Sequence, residues 1–388
     1  MQTSYFDHAA TTPLDPAVLE AMMPYLTEQF GNPSSVHALG RRARFAVEDA
    51  RERVAAVLGC EPAEVVFTSG GTEADNAAIR GVLGHPDRRG PGFITSPIEH
   101  EAVLQPAEAL QARDHPVTRL APGASGVVTV DQVDAAIDER TGLVSLMWVN
   151  NETGAVTDIA AIARLCRQRG VLFHSDAVQA ATIYPLAVEP LAVDLMTLSA
   201  HKFHGPKGAG VLFVRQGTPL RPLMLGGAQE RRRRGGTENV GAIVGLAEAL
   251  ERAASRVDAE RARLAGLRDR LVRGITDRFG AHVRFNSPES GAPHIVNVSF
   301  PPRDGRPVDG EMLLLALDMG GVMASSGSAC ASGAVEPSHV LRALGIERDS
   351  AQATVRLSMG RATDEAAVDH ALALLGDVVE RARLAATV

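Results

Sequence analysis

Apolar runs of strand length recur near Val65, Phe93, Val144, Val171, Leu195 and Val211, and between them the apolar positions spread to a spacing of three and four. Leu39, Ala43, Ala46, Ala50, Val54 and Val57 trace one such helix face. Strands that are apolar on both sides need cover on both sides, and amphipathic crossovers supply it. Residues from about 15 to 255 therefore read as an α/β domain with a mainly parallel sheet. From roughly Val240 to Asp277 a helical stretch rich in Arg, Glu and Ala leads into a second region. There, strands near Val283, Ile295 to Phe300 and Thr354 to Ser358 mix with helices near Met312, near His339 and after Thr363, the pattern of a smaller α+β domain. The expected division is a large domain over 15–257 and a small one built from 1–14 and 258–388. At 388 residues the chain is too long for a single core.

Chemistry enters where these strands end. Lys202 stands in Ser199-Ala200-His201-Lys202-Phe203-His204-Gly205, directly after the apolar run Leu195-Met196-Thr197-Leu198. A primary amine at the mouth of a buried strand, partly desolvated, is what forms a Schiff base with an aldehyde cofactor, and pyridoxal phosphate is the candidate. Taken alone, the same run describes a solvated surface lysine. Val171-Leu172-Phe173-His174-Ser175-Asp176 reads as another short strand ending in an acid, and such a cofactor needs a carboxylate at its ring nitrogen. Asp176 and Lys202 would leave the same sheet edge, where open α/β sheets bind ligands, although a strand-end turn also favours aspartate. Val65 to Asn76 supplies a strand, Gly70-Gly71 and a helix start near Thr72, a cradle suited to phosphate. It lacks the Gly-Lys-Ser/Thr ending of a nucleotide loop, and a Gly-Gly turn needs no ligand at all.

Eleven segments together resemble the cysteine desulfurases of the NifS/IscS-like branch, within the class V aminotransferase family and the fold-type I pyridoxal-phosphate enzymes. They are Tyr5 to Thr12, Gly31 to His37, Phe67 to Asn76, Glu99-His100, Asn150 to Gly154, Asp176 to Gln179, Ser199 to Gly208, Gln229 to Arg231, Gly236 to Asn239, Ser325 to Cys330 and Val355 to Ser358. The resemblance implies a large domain with a mainly parallel seven-stranded sheet and a smaller α+β domain carrying Cys330 and Arg356. It implies that Lys202 holds the cofactor and moves protons, that Asp176 pairs with the ring nitrogen, and that His100 stacks on the ring as acid or base. Gln179 and Asn151 would meet the phenolic oxygen and the incoming carboxylate. Gly71, Thr72, Ser199 and His201 would ring the phosphate, and Thr237 would reach the phosphate of a partner across a homodimer interface. Arg356 would clamp the substrate carboxylate with its two-pronged fork, which lysine cannot copy.

Cys330 decides the expected reaction. It lies in Ala324-Ser325-Ser326-Gly327-Ser328-Ala329-Cys330-Ala331-Ser332-Gly333-Ala334, a run of small residues with no apolar period, which reads as a loop. Its thiolate would take the sulfur of L-cysteine, leaving L-alanine and a persulfide, and pass it to an acceptor protein, an iron–sulfur scaffold or a thiolation carrier. Unperturbed thiols are only a few per cent ionised near neutrality, so a base such as His100 should assist. Cys60 and Cys166, at a helix end and on an apolar helix face, read as structural. Three cysteines without a C-x-x-C pair suggest neither a disulfide framework nor a metal site, which suits a reducing compartment. A related lyase or aminotransferase that does not depend on Cys330, and a non-catalytic scaffold of the same fold, are the competing readings.

Composition is that of an ordinary globular chain, 45% hydrophobic and 22% charged. With no apolar run of eighteen and no signal pattern, a cytoplasmic protein without a membrane span is expected. The net charge of −7 argues against bulk nucleic-acid binding. Arg231-Arg232-Arg233-Arg234 is the local exception, read here as a loop held by a phosphate and acidic neighbours. Two departures from the family pattern stand out. His8 replaces a common asparagine, which puts a contact near the site entrance in doubt, and Gly-Thr-Glu-Asn at 236–239, with an end at Val388 soon after the last helix, leans toward the NifS side.

Overall fold

In the computed structural model, which describes residues 3–123, 125–327 and 337–385, the chain opens with a short strand, β1 (Ser4–Tyr5). It then lays down the main sheet: β2 (Val65–Thr68), β3 (Gly92–Thr95), β4 (Val117–Arg119), β5 (Thr141–Ser145), β6 (Leu172–Asp176), β7 (Leu195–Ser199) and β8 (Gly210–Val214). These seven strands lie in the order β2-β8-β7-β6-β5-β3-β4. All pairings are parallel except those of β8, which runs against both β7 and β2. Five of the seven are buried along their whole length, as expected of a sheet covered on both faces. The parallel run places the ends of β6 and β7 side by side, with Asp176 opposite Thr197.

The remaining strands, β9 (Arg284–Phe285), β10 (Ile295–Ser299), β11 (Val322–Met323) and β12 (Thr354–Ser358), build the second region. Strands β12, β10 and β9 make an antiparallel sheet, while β1 pairs with β11 in parallel. The long helical stretch is two helices, Val240–Ala254 and Val257–Phe279, broken at Ser255 and Arg256. The apolar face traced from Leu39 to Val57 belongs to one helix, Ala38–Leu58, ended by Gly59 in the left-handed conformation at φ 62°. Among the described residues, no helix is long and apolar enough to cross a membrane.

Candidate active site

Strand β7 ends at Ser199, and a single 3-10 turn, Ala200–Lys202, swings the lysine over the sheet edge. Lys202 is half-buried and lines a cleft of about 530 Å³ with Gln179, His8 and His204. Its Nζ donates to the carbonyls of Ala9, at 2.6 Å, and Ala10, at 2.8 Å. Burial lowers its pKa to about 8, Arg356 pushes the same way, and Asp176 and Asp7 oppose them. A solvated surface lysine would show none of this. Asp176, buried at the end of β6, accepts the Val178 N–H at 2.9 Å. Burial raises its pKa, and the fields of His100 and Lys202, with the Val178 bond, pull it back. The two strand-end groups, predicted to leave the same sheet edge, feel each other's charge.

Gly70 caps the helix Gly71–Leu83 at φ 149°, a conformation side chains rarely adopt. A Cβ on Gly71 would press to 3.1 Å from Val178 Cγ2 and 3.5 Å from Ser199 Cβ. Gly71, Thr72 and Ser199 are thus gathered at an open helix start beside Asp176, a concavity fit for an anion. His201 reaches Thr11 Oγ1 through Nδ1 at 3.2 Å, and burial with Lys202 nearby lowers it to about 4, so the ring is neutral. His100 caps the helix Glu101–Gln111, Nδ1 accepting the Ala102 N–H at 3.1 Å. In the neutral ring that leaves the proton on Nε2 of an exposed imidazole. Gln179 donates to Ala9 O at 2.9 Å, while Asn151 Oδ1 is buried without a partner.

Arg356, in the middle of β12, has its fork engaged inside the protein: Nη1 donates to Asn151 O and Nη2 to Asp7 Oδ1, both at 2.8 Å. Thr237 is not brought to Lys202. It is exposed in a separate cleft of about 550 Å³ with Thr68, Ser69 and Arg234. The arginine run is tied to the body of the chain: Arg231 donates to Pro62 O, Arg233 to Ala63 O and Arg234 to Glu73. His8 is buried between Tyr5 and His204, ring centroids 4.9 and 6.3 Å away, where it lines the Lys202 cleft. Cys330 lies outside the described residues. The other two thiols are pushed up to about 12, chiefly by burial, so neither Cys60 nor Cys166 is a ready nucleophile.

Sequence reasoning gave no role to Asp7 or Glu152, although both fall in quoted segments. Glu152, buried, accepts Ser338 Oγ at 2.5 Å, and a Cβ on Gly327 would come 2.9 Å from its Oε2. One carboxyl therefore touches both sides of the stretch that contains Cys330.

The model of the aminotransferase class-V family matches residues 4–371. The chain belongs to the class-V aminotransferase family. This is a family of pyridoxal-phosphate enzymes. A cysteine desulfurase of Trichormus azollae is 43% identical over 99% of this chain and 94% of its own length. The cysteine desulfurase IscS of Dictyoglomus turgidum is 42% identical over 98% and 95%. Among solved structures, a NifS-like protein matches with a TM-score of 0.90 and 37% identity, covering 98% of this chain and all of that one. SspA in complex with cysteine matches at 0.81 and 35%, covering 92% and 99%.

Proposed function

We propose that this protein is a pyridoxal-phosphate-dependent cysteine desulfurase, converting L-cysteine to L-alanine and holding the sulfur as a persulfide on Cys330 for iron–sulfur assembly or another thio-cofactor. The observation that carries this reading is the desolvated Lys202 amine, lowered to about 8, beside the buried Asp176 at neighbouring strand ends. The donors present fit the cofactor: Lys202 for the aldehyde, Asp176 for the ring nitrogen, and Gly71, Thr72, Ser199 and neutral His201 for the phosphate. Bound there, pyridoxal phosphate supplies an electron sink for the bonds at the α-carbon of an amino acid.

The chain supplies the rest. Arg356 binds the substrate carboxylate, with Asn151 alongside. Lys202, part-deprotonated near neutrality, takes and returns protons at Nζ. His100 presents its Nε2–H as a proton donor, and the Cys330 thiolate accepts the sulfur. The exchange balances without an external oxidant, since the C–S bond of cysteine becomes the C–H bond of alanine as the S–S bond forms. We read 15–257 and the combined 1–14 and 258–388 as two domains meeting over this site. We read the protein as a cytoplasmic homodimer whose exposed Thr237 completes the phosphate site of the second copy.

Mass spectrometry after brief exposure to cysteine tests the proposal. One added sulfur is expected on the peptide containing Cys330, absent in Cys330→Ala, with the visible cofactor band lost in Lys202→Ala. Sulfur release that survives Cys330→Ala, or a protein that never takes up the cofactor, would overturn it.

A further inference from the structure

Beneath Asp176 runs a buried polar chain that the mechanism above does not use. His174 and Asp176 are two residues apart on β6 and so share a face of the sheet. His174 Nδ1 meets Ser145 Oγ of β5 at 2.8 Å, and its Nε2 meets Thr197 Oγ1 of β7 at 3.0 Å. The helix Gly71–Leu83 brings Asp75 to 3.5 Å from His174 Nε2. Asp75 is 1% exposed and the other three are fully buried. His174 brings no positive charge, since burial pushes it down to about 3 and leaves its ring neutral, and Asp75 Oδ1 has no hydrogen-bond partner among the described residues.

Two buried acids, Asp75 and Asp176, act on each other here, and burial followed by the field of Asp176 raises Asp75 well above the carboxylate range. Their surroundings differ. Asp176 faces His100 and Lys202 and receives the Val178 N–H, whereas Asp75 faces Asp176, Glu99 and a neutral imidazole. Two buried carboxyls that feel each other's charge hold one negative charge between them, and the charge settles where cations are. We propose that Asp75 keeps the proton of this pair and is a positioning residue that leaves Asp176 as the ionised carboxylate. The purpose of that charge, to hold a protonated ring nitrogen, rests on the cofactor reading; the location of the proton does not.

Infrared difference spectra of the full-length protein at neutral pH test it. The C=O stretch of a protonated carboxyl is expected to lose intensity in Asp75→Asn and to keep it in Asp176→Asn. Any other pattern overturns the assignment, and should Asp75→Asn fold poorly, survival of the band in Asp176→Asn still decides when the aspartate carboxyls are labelled with carbon-13, which separates them from the buried Glu99, itself raised by burial. A packing role alone would not move a pH profile. An acid whose folded pKa is raised binds its proton more tightly in the native state, so wild-type stability falls as pH climbs above the unfolded value of about 4. The melting temperature of Asp75→Asn relative to wild type should therefore rise steadily from about pH 5 to pH 8, and a pH-independent difference would overturn the proposal. A colourless protein with the expected spectra sinks the cofactor reading and leaves this one standing; a yellow protein with the opposite spectra does the reverse.

Discussion

Arg356 already spends both arms of its fork on Asp7 and Asn151, which fixes the guanidinium plane before a substrate arrives. Lysine keeps the charge and loses the fork. Arg356→Lys is expected to raise KM for cysteine about 10- to 100-fold, the ~1.5–3 kcal/mol of a charged hydrogen bond, with a smaller fall in kcat. Steady-state kinetics would refute this if kcat fell and KM held. His294 makes a second case. It is 5% exposed, neither ring nitrogen meets a partner, and burial, with His8 and Arg356 adding, lowers it to about 3. Because its folded pKa lies below the unfolded one of about 6.5, proton binding adds no cost above that pH beyond the unpartnered ring itself, and stability drains away as pH falls below it. His294→Leu should stabilise the protein by about 1–3 kcal/mol at pH 7, and by more at pH 5. Urea unfolding at the two pH values checks both the sign and its growth. Lys202 and Asp176 were legible because strand ends announce themselves in sequence. Asp75, His174 and Glu152 were not, since their roles come from partners that only folding brings near: 99 positions separate Asp75 from His174, and 186 separate Glu152 from Ser338.

At the level of elements, six of the seven main strands follow from apolar runs, and the seventh shows why one did not. Strand β4 lies at the sheet edge, and its Val117, Thr118 and Arg119 are half-buried or exposed, so it has no apolar run to betray it. The break between Val240–Ala254 and Val257–Phe279 was equally silent, because Ser255 and Arg256 carry neither glycine nor proline. Arg51 misleads in the opposite direction. On an amphipathic helix it reads as a surface charge, yet it is 2% exposed, stacks over the Phe67 ring and donates to Glu230 through both Nη atoms at 2.8 Å. Glu230 also accepts the Phe67 N–H, and it starts three successive left-handed residues at φ 44°, 54° and 66°. That pair pins the helix Ala38–Leu58, strand β2 and the arginine-rich turn to one another. Arg51→Ala strands a buried carboxylate and should cost about 3–5 kcal/mol in denaturant unfolding. A loss below about 1 kcal/mol, the worth of an exposed pair, would show that the turn is held by something else.

Among the described residues, large apolar side chains are left in solvent on the helices Pro16–Thr27 and Ala38–Leu58, on the link between them and on the turn near Leu225. Val36 is 88% exposed, Leu225 81% and Phe45 73%, with Phe30, Leu26 and Met23 in the same stretch. Apolar area of this kind stays dry in working proteins by being covered. The proposed homodimer supplies the cover, and the turn that carries Leu225 leads directly through the arginines to Thr237, so covering the patch and delivering Thr237 are one event. Replacing Phe45 by Glu and Leu225 by Asp puts two charges where a dry contact is needed. The double variant should sediment as a monomer while the wild type sediments as a dimer. It should also bind pyridoxal phosphate at least about tenfold more weakly, since one lost hydrogen bond to a charged phosphate is worth ~1.5–3 kcal/mol. Thr237→Val should weaken cofactor binding to a similar degree without splitting the dimer. If the monomeric variant keeps wild-type affinity, the phosphate site is complete within one chain and Thr237 has no part in it.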